Sequence, residues 1–297
     1  MVTYEEFKEQ MRERAESEIG GRAIVKPVKK LNGVVLDGLS IMTLDSNISP
    51  TIYLNDYYLQ YKNHLDSEQD TLDMIWSSIS RIYNQHLPKV DFNLNYFTDW
   101  EMVKSRLAIR LINTEKNSGL LEEVANISFL DLSIIFTVNV QLEGMDEGSI
   151  TVLKSHVEMW GRDEEELLRH ALSNQKGEHE IISMGKMLMD MRGCDESLDI
   201  DSLNMFVLTN INRNYGASAI MDVELLEDFS RENECDKVII IPSSVHETIL
   251  LPHVNGTDYA YINDMISSVN SSEVAGTEVL SDHCYIFDSI TGKITCG

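Results

Sequence analysis

One short segment, Pro242-Ser-Ser-Val-His-Glu247, combines residue types that could carry out chemistry. It follows the apolar run at residues 238–241, and the end of a buried strand is a place where side chains can be presented to a ligand. If the segment is extended, Ser244 and His246 point to the same side, because side chains alternate along a strand. A hydroxyl beside an imidazole pairs a nucleophile with its base, and Asp282 could orient the ring. The segment is therefore a candidate hydrolase site.

The same segment also fits a structural role, which is the interpretation we favour. Proline and serine are typical of tight turns, where the serine hydroxyl bonds to nearby backbone groups. A catalytic triad needs three side chains to converge in space, and spacing along the chain does not establish this. We therefore expect the two serines to hold a turn, and we keep Ser243 and Glu247 as candidates for contact with a ligand or partner.

Arg110, Asn113 and Asn117 form a second polar set at the end of a predicted strand. Asparagine side chains at such a place commonly bond to their own backbone and fix a loop. They could also bind a polar ligand, so all three are candidates for ligand or partner contact.

No motif predicts a metal or a cofactor. The segment Ser281-Asp-His-Cys284 contains three metal-competent residues, but neighbours on a strand face opposite sides and cannot readily chelate together. The chain has no phosphate-binding loop, no dinucleotide fingerprint, no paired-histidine zinc motif and no nucleophile elbow. We expect no bound metal and no cofactor.

Charge narrows the classes of partner. The chain has 297 residues, and 24 Lys and Arg against 49 Asp and Glu give a formal net charge of −25. Direct binding of duplex nucleic acid needs clustered cations, so it is not expected. The last third is poorest in cations, which suits solubility, a basic protein partner or mimicry of a nucleic acid.

The sequence predicts a cytoplasmic protein. The chain begins without the basic and apolar regions of a secretory signal, and no apolar run approaches the ~20 residues of a membrane-spanning helix. The cysteines are far apart and are expected to be free thiols; they are Cys194, Cys235, Cys284 and Cys296.

Hydrophobic periodicity predicts an α+β fold in two lobes. Residues 1–145 are expected to form an N-terminal lobe with a helix, a hairpin at Asn32-Gly33, further helices and a long strand at 129–140. Residues 146–202 are expected to be a helical connector. Residues 203–297 are expected to form a mostly antiparallel sheet of ββαββαββ order with helices on one face.

Some elements carry sharper signals. Asp163, followed three residues later by Glu166, predicts the N-cap of a helix in the connector. In the C-terminal lobe, residues 217–221 are expected to be a strand. Residues 258–269 are expected to be a helix with apolar residues at helical spacing, namely Tyr259, Ile262, Met265, Ile266 and Val269.

Four groups of segments along the chain occur together in a known protein family. They are Val34-Val-Leu-Asp-Gly-Leu-Ser-Ile41 with Pro50-Thr-Ile-Tyr-Leu54; Arg110-Leu-Ile-Asn113 through Asn117 with Phe129-Leu-Asp-Leu132; Met205-Phe-Val-Leu-Thr-Asn210 with Gly216-Ala217; and Ile241-Pro-Ser-Ser-Val-His-Glu247 with Asn270, Glu273-Val274 and Leu280-Ser-Asp282. On these segments the chain resembles an uncharacterised family of Firmicutes proteins catalogued as domain of unknown function 5688. The resemblance implies a bacterial cytoplasmic protein with no known activity, substrate or catalytic residue.

Three functional hypotheses follow, and the sequence does not give the oligomeric state. The first is a non-catalytic protein-binding or regulatory module, because no catalytic signature is present and the C-terminal third is acidic. The second is a hydrolase using Ser244, His246 and Asp282. The third is an acidic nucleic-acid mimic linked to mobile elements, which would carry acids spaced like backbone phosphates.

Overall fold

A computed structural model describes residues 2–43, 49–64, 67–86, 97–140, 148–187 and 204–297. The helices named below are α1 (Tyr4–Arg14), α2 (Asn55–Asn63), α3 (Glu68–Gln85), α4 (Trp100–Val103), α5 (Ser118–Leu121), α6 (Lys154–Trp160), α7 (Glu164–Gln175), α8 (Val223–Glu232) and α9 (Tyr259–Ser272). The strands are β1 (Arg22–Lys29), β2 (Val35–Met42), β3 (Thr51–Tyr53), β4 (Leu107–Asn113), β5 (Asn126–Phe129), β6 (Leu132–Val140), β7 (Gly148–Thr151), β8 (His179–Ser183), β9 (Phe206–Asn210), β10 (Lys237–Pro242), β11 (Thr248–Pro252), β12 (Tyr285–Asp288) and β13 (Lys293–Cys296). Helices and antiparallel sheets together confirm the predicted α+β class.

Contacts divide the chain into two compact units. The first contains residues 1–96 and 139–149, and the second contains residues 97–138 and 150–297. These boundaries differ from the three predicted segments, because β4, β5 and most of β6 join the C-terminal strands in one unit. The cause is a shared buried core that sequence order does not reveal: Leu107 and Ile134 belong to the same cluster as Val238 and Phe287.

The first unit is built on a three-stranded antiparallel sheet of order β1-β2-β3. Asn32 and Gly33 turn the chain between β1 and β2 with φ of 59° and 71°, which confirms the predicted hairpin. Helix α3 contributes the buried Ile75, Trp76 and Ile79 to the core of this unit. The helical spacing of its apolar residues therefore gives one face to the core.

The second unit contains a six-stranded sheet of order β13-β12-β10-β11-β9-β8. Every neighbouring pair in it is antiparallel. Strand β10 lies inside the sheet, and its residues are buried from Val238 onward. The short run of β-branched residues at 238–241 is typical of a strand that is covered on both sides.

The two principal helices of this sheet lie on opposite faces of β10, so the expectation that helices share one face is wrong. On one face, the even-numbered residues of β10 share a buried cluster with α8; its members include Val238, Ile240, Leu226 and Phe229. On the other face, the odd-numbered residues share a cluster with α9; its members include Ile239, Ile241 and Ile266. Because side chains alternate along a strand, the two clusters must be on different sides.

The predicted strand at 217–221 is a 3₁₀ helix, Gly216–Met221. Residues 204–297 therefore follow the order βαββαββ once this short helix is set aside, instead of ββαββαββ. The segment is rich in small residues that are fully buried, and Tyr215 before it has a positive φ of 53°. A left-handed residue turns the chain away from the extended path that a strand requires.

A second sheet of the unit is centred on β6, which pairs with β4, β5 and β7. The predicted strand at 129–140 begins only at Leu132, because Leu130 has φ of 55° and the chain turns there. Leu130 is consequently exposed and does not share the buried face of β6.

Three of the four cysteines lie in the part of the chain that the structure describes. Cys235, Cys284 and Cys296 are free thiols there. Cys194 lies outside the described residues, as do residues 188–202 of the predicted connector.

None of the described helices combines the length and the apolar character that crossing a membrane requires.

We expect Ile240→Ala to destabilise the protein by about 2–5 kcal/mol, because it leaves a cavity in a buried strand. Ile290→Ala is the matched control, since Ile290 is 79% exposed and Ile240 is fully buried. Its effect should stay within about 0.5 kcal/mol. Urea unfolding followed by circular dichroism measures both. Equal midpoints for the two variants would contradict the two-sided burial of β10.

Candidate functional site

The segment after β10 is a turn held by its own serine. The Ser244 Oγ accepts a hydrogen bond from the backbone N–H of His246 at 3.0 Å. The Ser244 N–H donates to the carbonyl of Glu247 at 3.2 Å. Both bonds close the turn locally, as serine does in tight turns. The hydrolase hypothesis instead requires a bond from this hydroxyl to the imidazole ring.

The His246 ring has its own partners. Its Nδ1 accepts a hydrogen bond from the backbone N–H of Tyr215 at 3.1 Å. With Nδ1 as an acceptor, the proton of the neutral ring lies on Nε2. That nitrogen is 3.7 Å from Oε1 of Glu278. The acid that faces this imidazole is therefore Glu278, a residue that the sequence analysis did not select.

Tyr215 connects this histidine to Arg110. The guanidinium carbon of Arg110 lies 3.6 Å from the centre of the Tyr215 ring, which is a close cation–π contact. Burial lowers the pKa of Arg110, although an arginine keeps its charge in proteins. Tyr215 holds a left-handed conformation that costs about 1–2 kcal/mol for a residue with a side chain. We call Arg110, Tyr215, Ser244, His246 and Glu278 the histidine corner.

Gly216 allows the two loops of the histidine corner to meet. A Cβ at this position would lie 2.5 Å from the amide nitrogen of Asn210 and 2.7 Å from the carbonyl oxygen of His246. The same carbonyl accepts a hydrogen bond from Thr209 Oγ1 at 2.8 Å. Any larger residue would therefore separate the loops, so a glycine is needed here because of close approach.

The two candidate asparagines fix the chain after β4. Asn113 Nδ2 donates to the carbonyl of Leu280 at 3.1 Å, and its Oδ1 accepts from the N–H of Lys116. Asn117 is buried, and its Nδ2 donates to the carbonyl of Asn113 at 2.8 Å. These contacts match the loop-holding role that was one of the two alternatives.

Asp282 takes part in a different set of contacts from His246. Its Oδ1 accepts a hydrogen bond from Asn270 Nδ2 at 2.8 Å, and its Oδ2 lies 4.0 Å from Nζ of Lys116. Ser243 is half-buried in the turn, and Glu247 is half-buried beside it. The structure thus places the Ser244 hydroxyl on the His246 backbone, whereas Asp282 accepts a hydrogen bond from Asn270 in the last turn of α9.

A buried polar cluster that the sequence analysis missed surrounds Asp131. Its carboxylate accepts hydrogen bonds from Ser281 Oγ at 2.6 Å and from the Tyr285 hydroxyl at 2.7 Å. Ser281 and Tyr285 are fully buried, and burial raises the pKa of Tyr285 above its ordinary value. The two donors lie 150 and 154 residues away from Asp131 along the chain, so no local pattern indicates the cluster.

Helix α9 is anchored on one face and exposes a row of apolar residues on the other. On the inner face, Asn263 accepts from the Cys284 N–H at 2.8 Å, and Asn270 donates to the Ser281 carbonyl at 3.0 Å. On the outer face, Tyr261, Met265 and Val269 are 69%, 44% and 46% exposed. They occur at intervals of four residues and therefore form one stripe, which we call the α9 stripe.

Comparison with known proteins identifies a family that matches nearly the whole chain. The model of a family described as "Family of unknown function (DUF5688)" matches residues 4–289. No curated protein matches the chain, and no solved structure does.

We expect Gly216→Ala to destabilise the second unit by more than about 2 kcal/mol, because the new methyl group would force backbone to move. Gly119→Ala is the matched control, since a Cβ there meets nothing within 4 Å and φ is not left-handed. It should be neutral or slightly stabilising. Thermal unfolding compares the two. A harmless Gly216→Ala would show that the two loops of the histidine corner do not touch as described.

We expect Tyr285→Phe to destabilise the protein by about 1.5–3 kcal/mol at pH 8, because the hydroxyl that donates a hydrogen bond to the Asp131 carboxylate is removed. Because the pKa of Tyr285 is raised in the folded protein, its hydroxyl loses its proton at a lower pH in the unfolded chain than in the folded one. The stability that this hydroxyl contributes therefore falls as the pH rises above about 10. The difference in free energy of unfolding between Tyr285→Phe and wild type should therefore become smaller at high pH. Urea titrations at about pH 8 and pH 11 test this.

Tyr261→Phe is the control for that experiment, because Tyr261 is exposed on α9. It should change stability little at either pH. A Tyr285→Phe variant as stable as the control would contradict the bond to Asp131.

Proposed function

Since the chain belongs to the DUF5688 family, whose function is unknown, we propose a function from its own geometry: a non-catalytic cytoplasmic module that binds a basic amphipathic helix of a protein partner. The observation that carries this proposal is the α9 stripe, which lies in a part of the chain without lysine or arginine.

The α9 stripe has the residue types of a recognition surface. Tyrosine and methionine are enriched where proteins bind one another, and tyrosine often supplies a large part of the binding energy. Methionine has three rotatable bonds and adapts to different partners. A stripe on one side of a helix fits a partner helix whose own apolar face is equally narrow.

Charge selects the sign of the partner. Between residues 238 and 292 the sequence contains seven acidic residues and neither Lys nor Arg. Asp264 lies on the exposed side of α9, one residue from Met265. A partner that carries cations beside its apolar face would be attracted to this surface and steered toward it. An acidic partner would be repelled.

The histidine corner supports a structural role for the residues first considered catalytic. The side chains of Ser244 and His246 each accept a hydrogen bond from a backbone N–H. Val245 donates its N–H to the carbonyl of Glu278 at 2.9 Å. The chain that follows Glu278 reaches Ser281 and Asp282, which bond to Asn270 at the end of α9. We infer that the corner positions the helix that binds the partner.

The two alternatives make different demands. A hydrolase needs the Ser244 hydroxyl on the imidazole, and a nucleic-acid mimic needs acids in a row without an apolar stripe. Only a protein-binding role uses the exposed apolar residues of α9. For this reason we rank it first.

We expect Met265→Ser to weaken binding of a synthetic Leu/Lys amphipathic helix of about 18 residues by at least tenfold. The reason is loss of apolar contact at the centre of the α9 stripe. Met102→Ser is the matched control, because Met102 is 49% exposed on α4. Isothermal titration calorimetry with the full chain measures the affinities, and unfolding midpoints verify that both variants fold.

Salt and peptide charge complete the test. Raising the salt from 0.1 to 1 M shortens the Debye length from ~10 to ~3 Å and should weaken binding. A matching Leu/Glu peptide should not bind. Equal binding of both peptides, or equal loss in Met102→Ser, would contradict the proposal. A change in self-association caused by Met265→Ser would instead identify a second copy of the chain as the occupant.

A further inference from the structure

A cavity of about 240 Å³, partly open to solvent, lies in the second unit. Its wall is apolar at Leu172, Met221 and Val223, and it is polar at Lys176, His179, Asp222 and Glu224. At about 30 Å³ for each water molecule, the volume corresponds to about eight waters. It is therefore large enough for a small organic molecule.

His179 and Asp222 form an oriented pair in the wall of this cavity. Nδ1 of His179 lies 3.1 Å from Oδ2 of Asp222, and the histidine side chain is only 5% exposed. Asp222 is itself fixed, because its Oδ1 caps α8 by accepting from the N–H of Leu225 at 3.2 Å. A carboxylate on Nδ1 holds the proton there and leaves the lone pair on Nε2.

The Nε2 atom of His179 is buried and receives no hydrogen bond from any residue in the described part of the chain. A buried acceptor without a donor is costly, so such an atom indicates a missing partner. Because protein atoms cover this nitrogen, a ligand reaches it only when a side chain of the wall turns aside. The unbranched, flexible side chain of Met221 lies in this wall.

Charge in the wall decides the class of ligand. Lys176 and Glu224 form an exposed ion pair at 2.9 Å; the hydrogen bond to Glu224 raises the pKa of the lysine, and the two opposite charges offset one another. Asp222 then leaves the wall with a net negative charge. A cation that donates hydrogen bonds satisfies both Nε2 and this charge, whereas an anion would be repelled.

We propose that this cavity binds a small primary amine, whose ammonium donates to His179 Nε2 and whose apolar body packs against Leu172, Met221 and Val223. The site is separate from the α9 stripe, so the two proposals stand independently. Asp222 acts on the ligand through His179 and through its charge.

The test titrates the full-length protein with phenethylamine, which has about nine non-hydrogen atoms, and follows the histidine side-chain nitrogens by NMR. We expect saturable binding at about millimolar concentration, with a shift of the His179 Nε2 signal. Phenylethanol, which has the same shape without the charge, should bind at least tenfold more weakly. Phenylacetate should not bind.

Two kinds of variant locate the binding. His179→Phe removes the acceptor and should reduce phenethylamine affinity at least tenfold. Leu172→Trp fills the cavity and should abolish binding, whereas Ser173→Trp on the exposed side of α7 should leave it unchanged. An unfolding midpoint for each variant shows that it folds. If either His179→Phe or Leu172→Trp fails to fold, the other variant still tests the site.

Three results would overturn the proposal. They are absence of saturable phenethylamine binding by wild type up to about 10 mM, phenylethanol or phenylacetate binding as tightly as the amine, and wild-type affinity in a folded Leu172→Trp or His179→Phe variant.

Discussion

The burial of β10 on both faces is the constraint on which the second unit depends. Strand residues 238–241 are apolar on both sides, so the sheet needs a cover on each face. Helix α8 supplies one cover and α9 supplies the other. Because α9 touches the sheet with only part of its apolar surface, Met265 and Val269 remain outside the core. The exposed stripe is therefore a consequence of an apolar surface wider than the contact with the sheet.

Local signals predicted most of the elements, and long-range contacts account for the errors. The Asn32-Gly33 turn and the N-cap at Asp163 depend on neighbouring residues, and both are present as predicted. Residues 217–221 were misassigned because a short apolar run is compatible with a strand or a helix. The left-handed Tyr215 decides between them, and its conformation depends on contacts with Arg110 and His246, which are distant in sequence.

The sequence indicated Ser244 and His246 as residues of the candidate site, but it did not indicate which groups they bond to. Period-two alternation placed Ser244 and His246 side by side, but the chain turns at that point and the hydroxyl bonds to backbone instead. Tyr215 and Glu278 were not selected, because each lies more than 30 residues from the histidine in sequence. The His179–Asp222 pair joins a strand to a helix N-cap across 43 residues, and nothing in the local sequence marks it.

The distribution of charge gives the strongest reason to expect a partner. Like charges close together raise the free energy of a compact state, and fixed cations normally offset this. In the described residues 238–292, the ion pairs that reach an acid are those of Lys116 with Asp282 at 4.0 Å and of His246 with Glu278 at 3.7 Å. Both are long, and the first is exposed, so they compensate little. A basic partner on α9 would lower this repulsion while covering apolar surface, and one binding event would thus relieve two unfavourable features of the free molecule.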